Sequence, residues 1–326
     1  MVKWAVVIPT IRQEKFLDFL ANWEQLFVKH SVRLIVVQDN NERWELPSVP
    51  YKIEQYVHDD IDNELGHAAF CIPRNTDCIR SFGFYKAYLT DVDYVLTLDD
   101  DVRPIDGLDV FSEYEKVFVG GMYLSEYVNT GMFFVHPEGM FMRGFPFSDR
   151  HKKKVALQYG MWAGVPDLDG ITQLSKPVDN GRVGVTTFSV PKYAALTGCI
   201  MNCAFQREFA ICFYQLLMGK NYPFDRWGDI WSGLVAKRVC DQNDWAVVIN
   251  SYATVEHLRA SDVNTNIKKE SSGYAINEYL WDEISMSTGS YEQIMNSLCD
   301  NDVFRNKEYS EKLKEAVNAW LGLFKR

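Results

Sequence analysis

The sequence has no CxxC pair, no internal repeat and no low-complexity linker. No stretch approaches the ~18 apolar residues that span a bilayer. Its seven cysteines, Cys71, Cys78, Cys199, Cys203, Cys212, Cys240 and Cys299, are odd in number. Cys199 and Cys203 stand four apart without a second pair or a suitably spaced histidine. This excludes a zinc knuckle and points to reduced thiols in a reducing compartment. The N-terminus, MVKWAVVIPT, is apolar but too short for a signal peptide and has no cleavage site. The expectation is a soluble, cytoplasmic protein with no membrane partner. Positive charge is also in deficit, with 34 Lys and Arg against 44 Asp and Glu, a net charge of −10. A general nucleic-acid binder would carry a basic face, so direct nucleic-acid binding is not expected. A local basic pocket for a phosphate remains compatible with that balance.

Apolar residues, by contrast, are plentiful. They make up 47% of the 326 residues, enough for a sizeable core. Residues 3–9 (KWAVVIP) read as a buried parallel strand. A helical pattern follows over 13–30, with Phe16, Phe19, Leu20, Trp23, Leu26 and Phe27 at three- and four-residue spacing. Residues 32–37 (VRLIVV) form a second β run, closed by Gln38-Asp39-Asn40. This is a βαβ unit, right-handed and part of a mainly parallel sheet. A helix is predicted over 77–88 and another buried strand over 93–98, ending in Asp99-Asp100-Asp101. Residues 120–190 read as loops and short strands, 203–218 and 229–240 as helices, and 245–250 (WAVVIN) as a strand. The end, 274–320, reads as amphipathic helix with connecting turns. The predicted organisation is a catalytic domain over 1–270 and a helical C-terminal extension over 271–326.

Ligands of open α/β sheets bind outside the carboxyl ends of strands. Asp39 and the aspartate triplet both fall at such ends, so they point at one crevice. Three adjacent carboxylates repel each other, and a divalent cation resolves the repulsion. Their hard oxygens suit magnesium or manganese, ions that also bind substrate phosphates. A solvated acidic turn is the alternative. Asp39 could accept a hydrogen bond from a ribose or base, or simply shape a turn. His257, just beyond the 245–250 strand, could be a distant third ligand. Lys268 and Lys269 could meet phosphates or form an exposed charged turn. Arg143 and Arg150 flank a Gly-Phe-Pro-Phe-Ser segment, and guanidinium groups bind phosphates bidentately. An ordinary surface loop is the other reading. Trp162, Trp227 and Trp231 could stack on a base or sugar or belong to the core.

Six segments occur in a telling order: CIRSFGFYKA, TLDDD, RGFPFSDR, WAGVPDLDGITQLSKP, MNCAFQRE and RWGDIWSG. In order and rough spacing they resemble the reversibly glycosylated polypeptides of plants, the UDP-arabinopyranose mutases. The resemblance covers about residues 6–270 and weakens over 107–142 and in the tail. It implies an α/β fold of the glycosyltransferase-A type, Rossmann-like, with a manganese or magnesium ion. It implies a UDP-sugar substrate, interconverted between UDP-arabinopyranose and UDP-arabinofuranose. Carried residue by residue, it matches the family's acidic motif to Asp99, Asp100 and Asp101 and its metal-completing histidine to His257. With the strand-end reading of Asp39 and the charge reading of Lys268, the expectation is metal binding by Asp99, Asp101 and His257, and substrate or cofactor contacts by Asp39, Asp99, Asp100 and Lys268. It matches the reversibly glycosylated arginine to Arg143 and a second essential arginine to Arg150. The acidic residue of a DDMW-like segment matches Asp229. A homo-oligomer is a further expectation of the resemblance.

Two positions depart from the family pattern. Val102 stands where a cysteine is common, and Gly228-Asp229 replaces an acidic pair. A mutase must let the sugar ring open and reclose through another hydroxyl while UDP stays bound. Asp229 is the candidate acid/base or hydroxyl-orienting group, followed by Asp167 and Asp169, with helix-cap or turn roles as alternatives. A glycosyltransferase acting on a separate acceptor would use the same fold and metal. A nucleotide-sugar-binding subunit without turnover is the non-enzymatic alternative.

Overall fold

The structure, a computed structural model, describes residues 2–133, 139–176, 184, 186–258 and 262–325. The chain opens with β1 (Trp4–Thr10), α1 (Gln13–Lys29), β2 (Arg33–Gln38), β3 (Lys52–Tyr56), α2 (His58–Leu65) and α3 (Arg80–Tyr88). It continues through β4 (Tyr94–Leu98), β5 (Val102–Pro104), α4 (Val110–Gly120), β6 (Met122–Tyr123), β7 (Lys152–Lys153) and β8 (Val155–Gly164). Then come α5 (Gly170–Ser175), β9 (Thr187–Ser189), β10 (Asn202–Gln206), α6 (Gly228–Gln242), β11 (Ala246–His257) and α7 (Val263–Glu270). Three helices close it: α8 (Tyr274–Met286), α9 (Tyr291–Asp300) and α10 (Lys307–Leu323).

A 9-stranded sheet runs in the order β3-β2-β1-β4-β10-β8-β11-β5, with β9 paired to β11. Strands β1 to β4, β8 and β11 share one direction, while β5, β9 and β10 oppose it. This is the expected mainly parallel α/β sheet, and its 3-2-1-4 order is that of a Rossmann-like half. The strand order reverses at β1, which lies between β2 and β4, so a crevice opens beyond the carboxyl ends of β1 and β4.

Local chemistry explains the first βαβ unit. Helix α1 buries Phe16, Phe19, Leu20, Trp23 and Phe27 on one stripe against the sheet, each contributing roughly 1.5–3 kcal/mol by leaving water. It stops at His30, and Ser31 adopts φ 48° to turn the chain into β2. Strands β1, β2 and β4 are apolar on both faces because helices cover both sides. The helices past residue 271 share a core with one sheet face: Leu280, Leu313 and Trp320 belong to the same cluster as Val7, Phe82 and Phe213.

Two sequence expectations are corrected. Residues 203–218 are not a helix. They begin as β10, pass through a 3₁₀ segment, Arg207–Cys212, and end in irregular backbone. Buried Phe205, Phe209, Phe213 and Leu217 recur every four residues and mimic a helical stripe. Strand pairing of β10 with β4 and β8 overrides that local period. The region expected to hold only loops and short strands also contains β8, a 10-residue strand central to the sheet. All seven cysteines are free thiols. No helix among the described residues is long and apolar enough to cross a membrane.

Candidate active site

A cleft of about 790 Å³ opens where Asp77, Arg80, Asp99, Asp101, Asp167, Arg226, Asp229, His257 and Glu270 converge. Two strand arrangements build it. At the switch point, β4 delivers the aspartate triplet opposite the end of β1. Immediately afterwards β5 turns back and pairs antiparallel with the end of β11, setting Val102 opposite His257. The Leu258 N–H donates to the Asp101 carbonyl at 3.0 Å and locks the pairing. In this way the triplet and a histidine distant in sequence come together.

The three aspartates have different fates. Asp99 lines the cleft and accepts from Arg80 Nη2 at 2.6 Å. Arg80 is 2% exposed; burial works against its charge, but Asp99 and Asp77 hold its pKa above the usual range. Asp100 faces inward, only 5% exposed. It accepts from Thr10 Oγ1 at 2.5 Å, from Arg12 Nε at 3.1 Å and from Arg12 Nη2. Asp100 thus anchors the β1 end and is not among the residues that line the cleft. Asp101 lines the cleft, with Oδ1 3.8 Å from His257 Nε2 and Oδ2 3.2 Å from Arg12 Nη2.

The donor set suits a hard divalent ion. His257 Nδ1 bonds the Val165 carbonyl at 2.6 Å. As the donor in that bond, Nδ1 leaves Nε2 as a lone-pair nitrogen facing Asp101, the orientation typical of ligating histidines. Asp99 is drawn aside by Arg80, and no group of three potential ligands is preassembled among the described residues. Gly164 permits this corner. Its φ is +82°, and a Cβ there would stand 2.4 Å from the His257 carbonyl oxygen.

Asp229 lies in the first turn of α6 and lines the same cleft. Burial first, then the like charges of Asp77 and Asp167, push its pKa up to about 7, with Arg80 opposing. Asp167 is also raised, mainly by burial, while the Cys199 thiol donates to it at 3.2 Å. Asp169 caps α5 by accepting from the Thr172 N–H at 2.9 Å. Gly228 has no room for a side chain: a Cβ would meet Cys78 Sγ at 2.4 Å and the Gln215 carbonyl at 2.7 Å. This chain has closed the space where an acidic neighbour of Asp229 would stand. Val102 is buried, and its carbonyl accepts from Trp23 Nε1 at 3.1 Å.

Other expected site residues lie elsewhere. Asp39 accepts from the backbone N–H groups of Asn75 and Thr76 at 2.9 and 2.8 Å and pairs with His58 at 2.7 Å. It pins the start of the segment leading into α3 and is outside the cleft lining. Lys268 is exposed on the last turn of α7, also outside the lining. Arg143 is exposed on its loop. Arg150 lies over the Phe147 ring at 3.7 Å and the Phe141 ring at 4.9 Å, and donates to the Phe145 carbonyl at 2.9 Å. Neither arginine is in the acidic cleft's lining; their loop borders a second, more apolar cavity through Phe145. Trp162 and Trp227 line the cleft, and Trp227 also stacks at 5.7 Å on Trp231, which belongs to the core. Sequence reading passed over Arg80 and Arg226. The signal was present, since both sit inside the quoted motifs CIRSFGFYKA and RWGDIWSG.

An acidic cleft at the switch point of a Rossmann-like sheet, with a carboxylate–histidine corner, defines an α/β protein with the layout of a nucleotide-ligand site. Comparison with known families narrows this class. A match to the reversibly glycosylated polypeptide family spans residues 3–321, and the chain belongs to that family. The match extends beyond the 6–270 resemblance into the C-terminal helices. The chain is 33% identical to "Probable UDP-arabinopyranose mutase 4" of Arabidopsis thaliana, over 97% of this chain and 88% of that one. It is 33% identical to "UDP-arabinopyranose mutase 1" of Oryza sativa subsp. japonica, over 82% of this chain and 73% of that one. Among solved structures, S. aureus TarS aligns at a TM-score of 0.45 and 10% identity, over 95% of this chain and 44% of that one. That likeness is too loose to bear on function.

Proposed function

We propose that the chain is an intramolecular transferase that interconverts the pyranose and furanose forms of UDP-arabinose or a close nucleotide-sugar. Its membership of the reversibly glycosylated polypeptide family over residues 3–321 carries this reading. The geometry supports it, because the acidic cleft sits where such sheets hold nucleotide ligands. Ring contraction needs a proton to leave one sugar hydroxyl and reach the former ring oxygen. Asp229, with a pKa of about 7, is present in both protonation states near neutrality and can serve as donor and acceptor in turn. Cleft carboxylates such as Asp77 and Asp167 are suited to orienting sugar hydroxyls. A manganese or magnesium ion, held by Asp101, His257 and Asp99, would neutralise the diphosphate and ease its departure.

Transient attachment of the sugar to Arg143, with Arg150 in support, enters the reading through the family resemblance. Arg143→Ala tests it separately, since loss of conversion with UDP binding intact is expected. The whole reading is tested by incubating the protein with UDP-arabinopyranose and Mn²⁺, without acceptor, and following the sugar-nucleotide by NMR. UDP-arabinofuranose is expected to accumulate to equilibrium. An unchanged substrate, or release of UDP alone, would refute the mutase.

A further inference from the structure

Among the described residues, acidic side chains outnumber basic ones in the lining of the cleft. Its lining includes the carboxylates of Asp77, Asp99, Asp101, Asp167, Asp229 and Glu270. Among the described lining residues, the guanidinium groups that face them are Arg80 and Arg226. A nucleotide diphosphate adds further negative charge, so a protein cation that can reach it has large leverage.

Arg80 is already committed. It donates to Asp99 at 2.6 Å, to Thr97 Oγ1 at 3.0 Å and to the carbonyls of Ile200 and Asp77 at 3.4 and 3.3 Å. Arg226 is held differently. Its side chain is 33% exposed, and its Nε donates to Glu270 Oε1 at 3.2 Å. Nη2 stands 3.8 Å from Asp167 Oδ1, too far for a hydrogen bond. Nη1 meets no hydrogen-bond partner among the described residues. Glu270 is itself fixed, accepting from the Gly170 N–H at 2.8 Å and the Tyr274 hydroxyl at 3.0 Å. The guanidinium is thus oriented through Nε, and its Nη1–Nη2 edge is left for a ligand.

The backbone supplies an independent observation. Arg226 adopts φ +64°, a left-handed conformation that penalises any side chain with a Cβ. Glycine would occupy this position without that strain. Strain of this kind persists at ligand clamps, where the side chain has a task that glycine could not perform.

We propose that Arg226 binds the diphosphate of the nucleotide-sugar bidentately through its Nη1–Nη2 edge, with Glu270 as its positioning residue. The proposal rests on the nucleotide-sugar reading of the cleft. It gives the diphosphate role to a residue outside the Arg143 and Arg150 pair.

The test is titration calorimetry of the full chain in Mg²⁺ with UDP and, separately, uridine. Arg226→Gly removes the guanidinium and relieves the left-handed strain. It is expected to keep a cooperative melt, to bind UDP at least about 10-fold more weakly, and to bind uridine as the wild type does. Arg226→Lys is expected to recover only part of the loss, since an ammonium cannot grip bidentately. It carries the same UDP-against-uridine comparison if the glycine variant does not fold. UDP affinity within about 2-fold of wild type in the variant, or an equal loss for UDP and uridine, would overturn the assignment. A wild type that binds UDP more tightly than uridine but leaves UDP-arabinopyranose unconverted would sink the mutase reading alone. A wild type with no preference for UDP over uridine would overturn the role of Arg226 as well.

Discussion

Asp101 Oδ1 stands 3.8 Å from His257 Nε2, and the pairing of β5 with β11 holds the two together. Their separation leaves space for an ion to be drawn between them. Asp101→Ala and His257→Ala are each expected to weaken Mn²⁺ binding by more than about 10-fold and to abolish turnover. Chelation of the wild type should stop the reaction until Mn²⁺ or Mg²⁺ is returned. Electron paramagnetic resonance of bound Mn²⁺ is the check. Undiminished binding in both variants would remove the metal from this corner.

Gly164 sets the angle of that corner without touching a ligand. Gly164→Ala would place a Cβ against the His257 carbonyl at φ +82°. It would disturb the Val165 N–H bond to that carbonyl, now 3.1 Å. The expected cost is about 2 kcal/mol or more in urea unfolding, from strain plus the clash. Mn²⁺ affinity should fall with it, because His257 Nδ1 is tied to the same loop.

Asp229 makes stability depend on pH in an unusual direction. Its folded pKa is about 7, against about 3.9 for an unfolded aspartate. Between those values the native state binds more protons than the unfolded one, so this residue's contribution falls as pH rises from about 4 to 7. Asp229→Asn should flatten that part of the melting-temperature profile and raise stability above pH 7. The same variant should lower kcat by roughly 100-fold or more, the scale of a lost acid/base group. A wild-type profile that Asp229→Asn leaves unchanged would contradict the raised pKa.

Asp39 is expected to be a structural anchor. Asp39→Asn removes a charged acceptor from two backbone N–H groups and from His58. It should cost about 1–3 kcal/mol in denaturant unfolding and leave UDP affinity in the folded fraction intact. A loss of UDP affinity at unchanged stability would instead favour its reading as a ribose or base acceptor.

The parts of the fold legible in the sequence were those with a strong local period. The spans of β1, α1, β2 and β4 follow from continuous apolar runs and a stripe of large side chains. Strand β8 was missed because its VALQYGMWAG sequence mixes a polar residue and two glycines into the run. Its buried Gln158 bonds the Tyr114 carbonyl and Asn250, partners contributed by α4 and β11. Strand β10 was read as helix because Phe205, Phe209 and Phe213 recur every four residues across it and the segment that follows, a spacing that looks helical until a pairing partner is supplied.

By itself the sequence determined the opening βαβ unit, an acidic strand end and membership of a family. Burial of apolar runs is a local property, and motif order survives without any geometry. Tertiary structure alone decided which acids face the cleft. Asp99, Asp100 and Asp101 are identical and adjacent, and their fates diverge because Arg80, Arg12 and His257 arrive from three different elements. It also decided that Arg226 enters the cleft, because Glu270 on α7 fixes Nε from across the fold. Charges pair through space, and spacing along the chain does not reveal which partner each will meet.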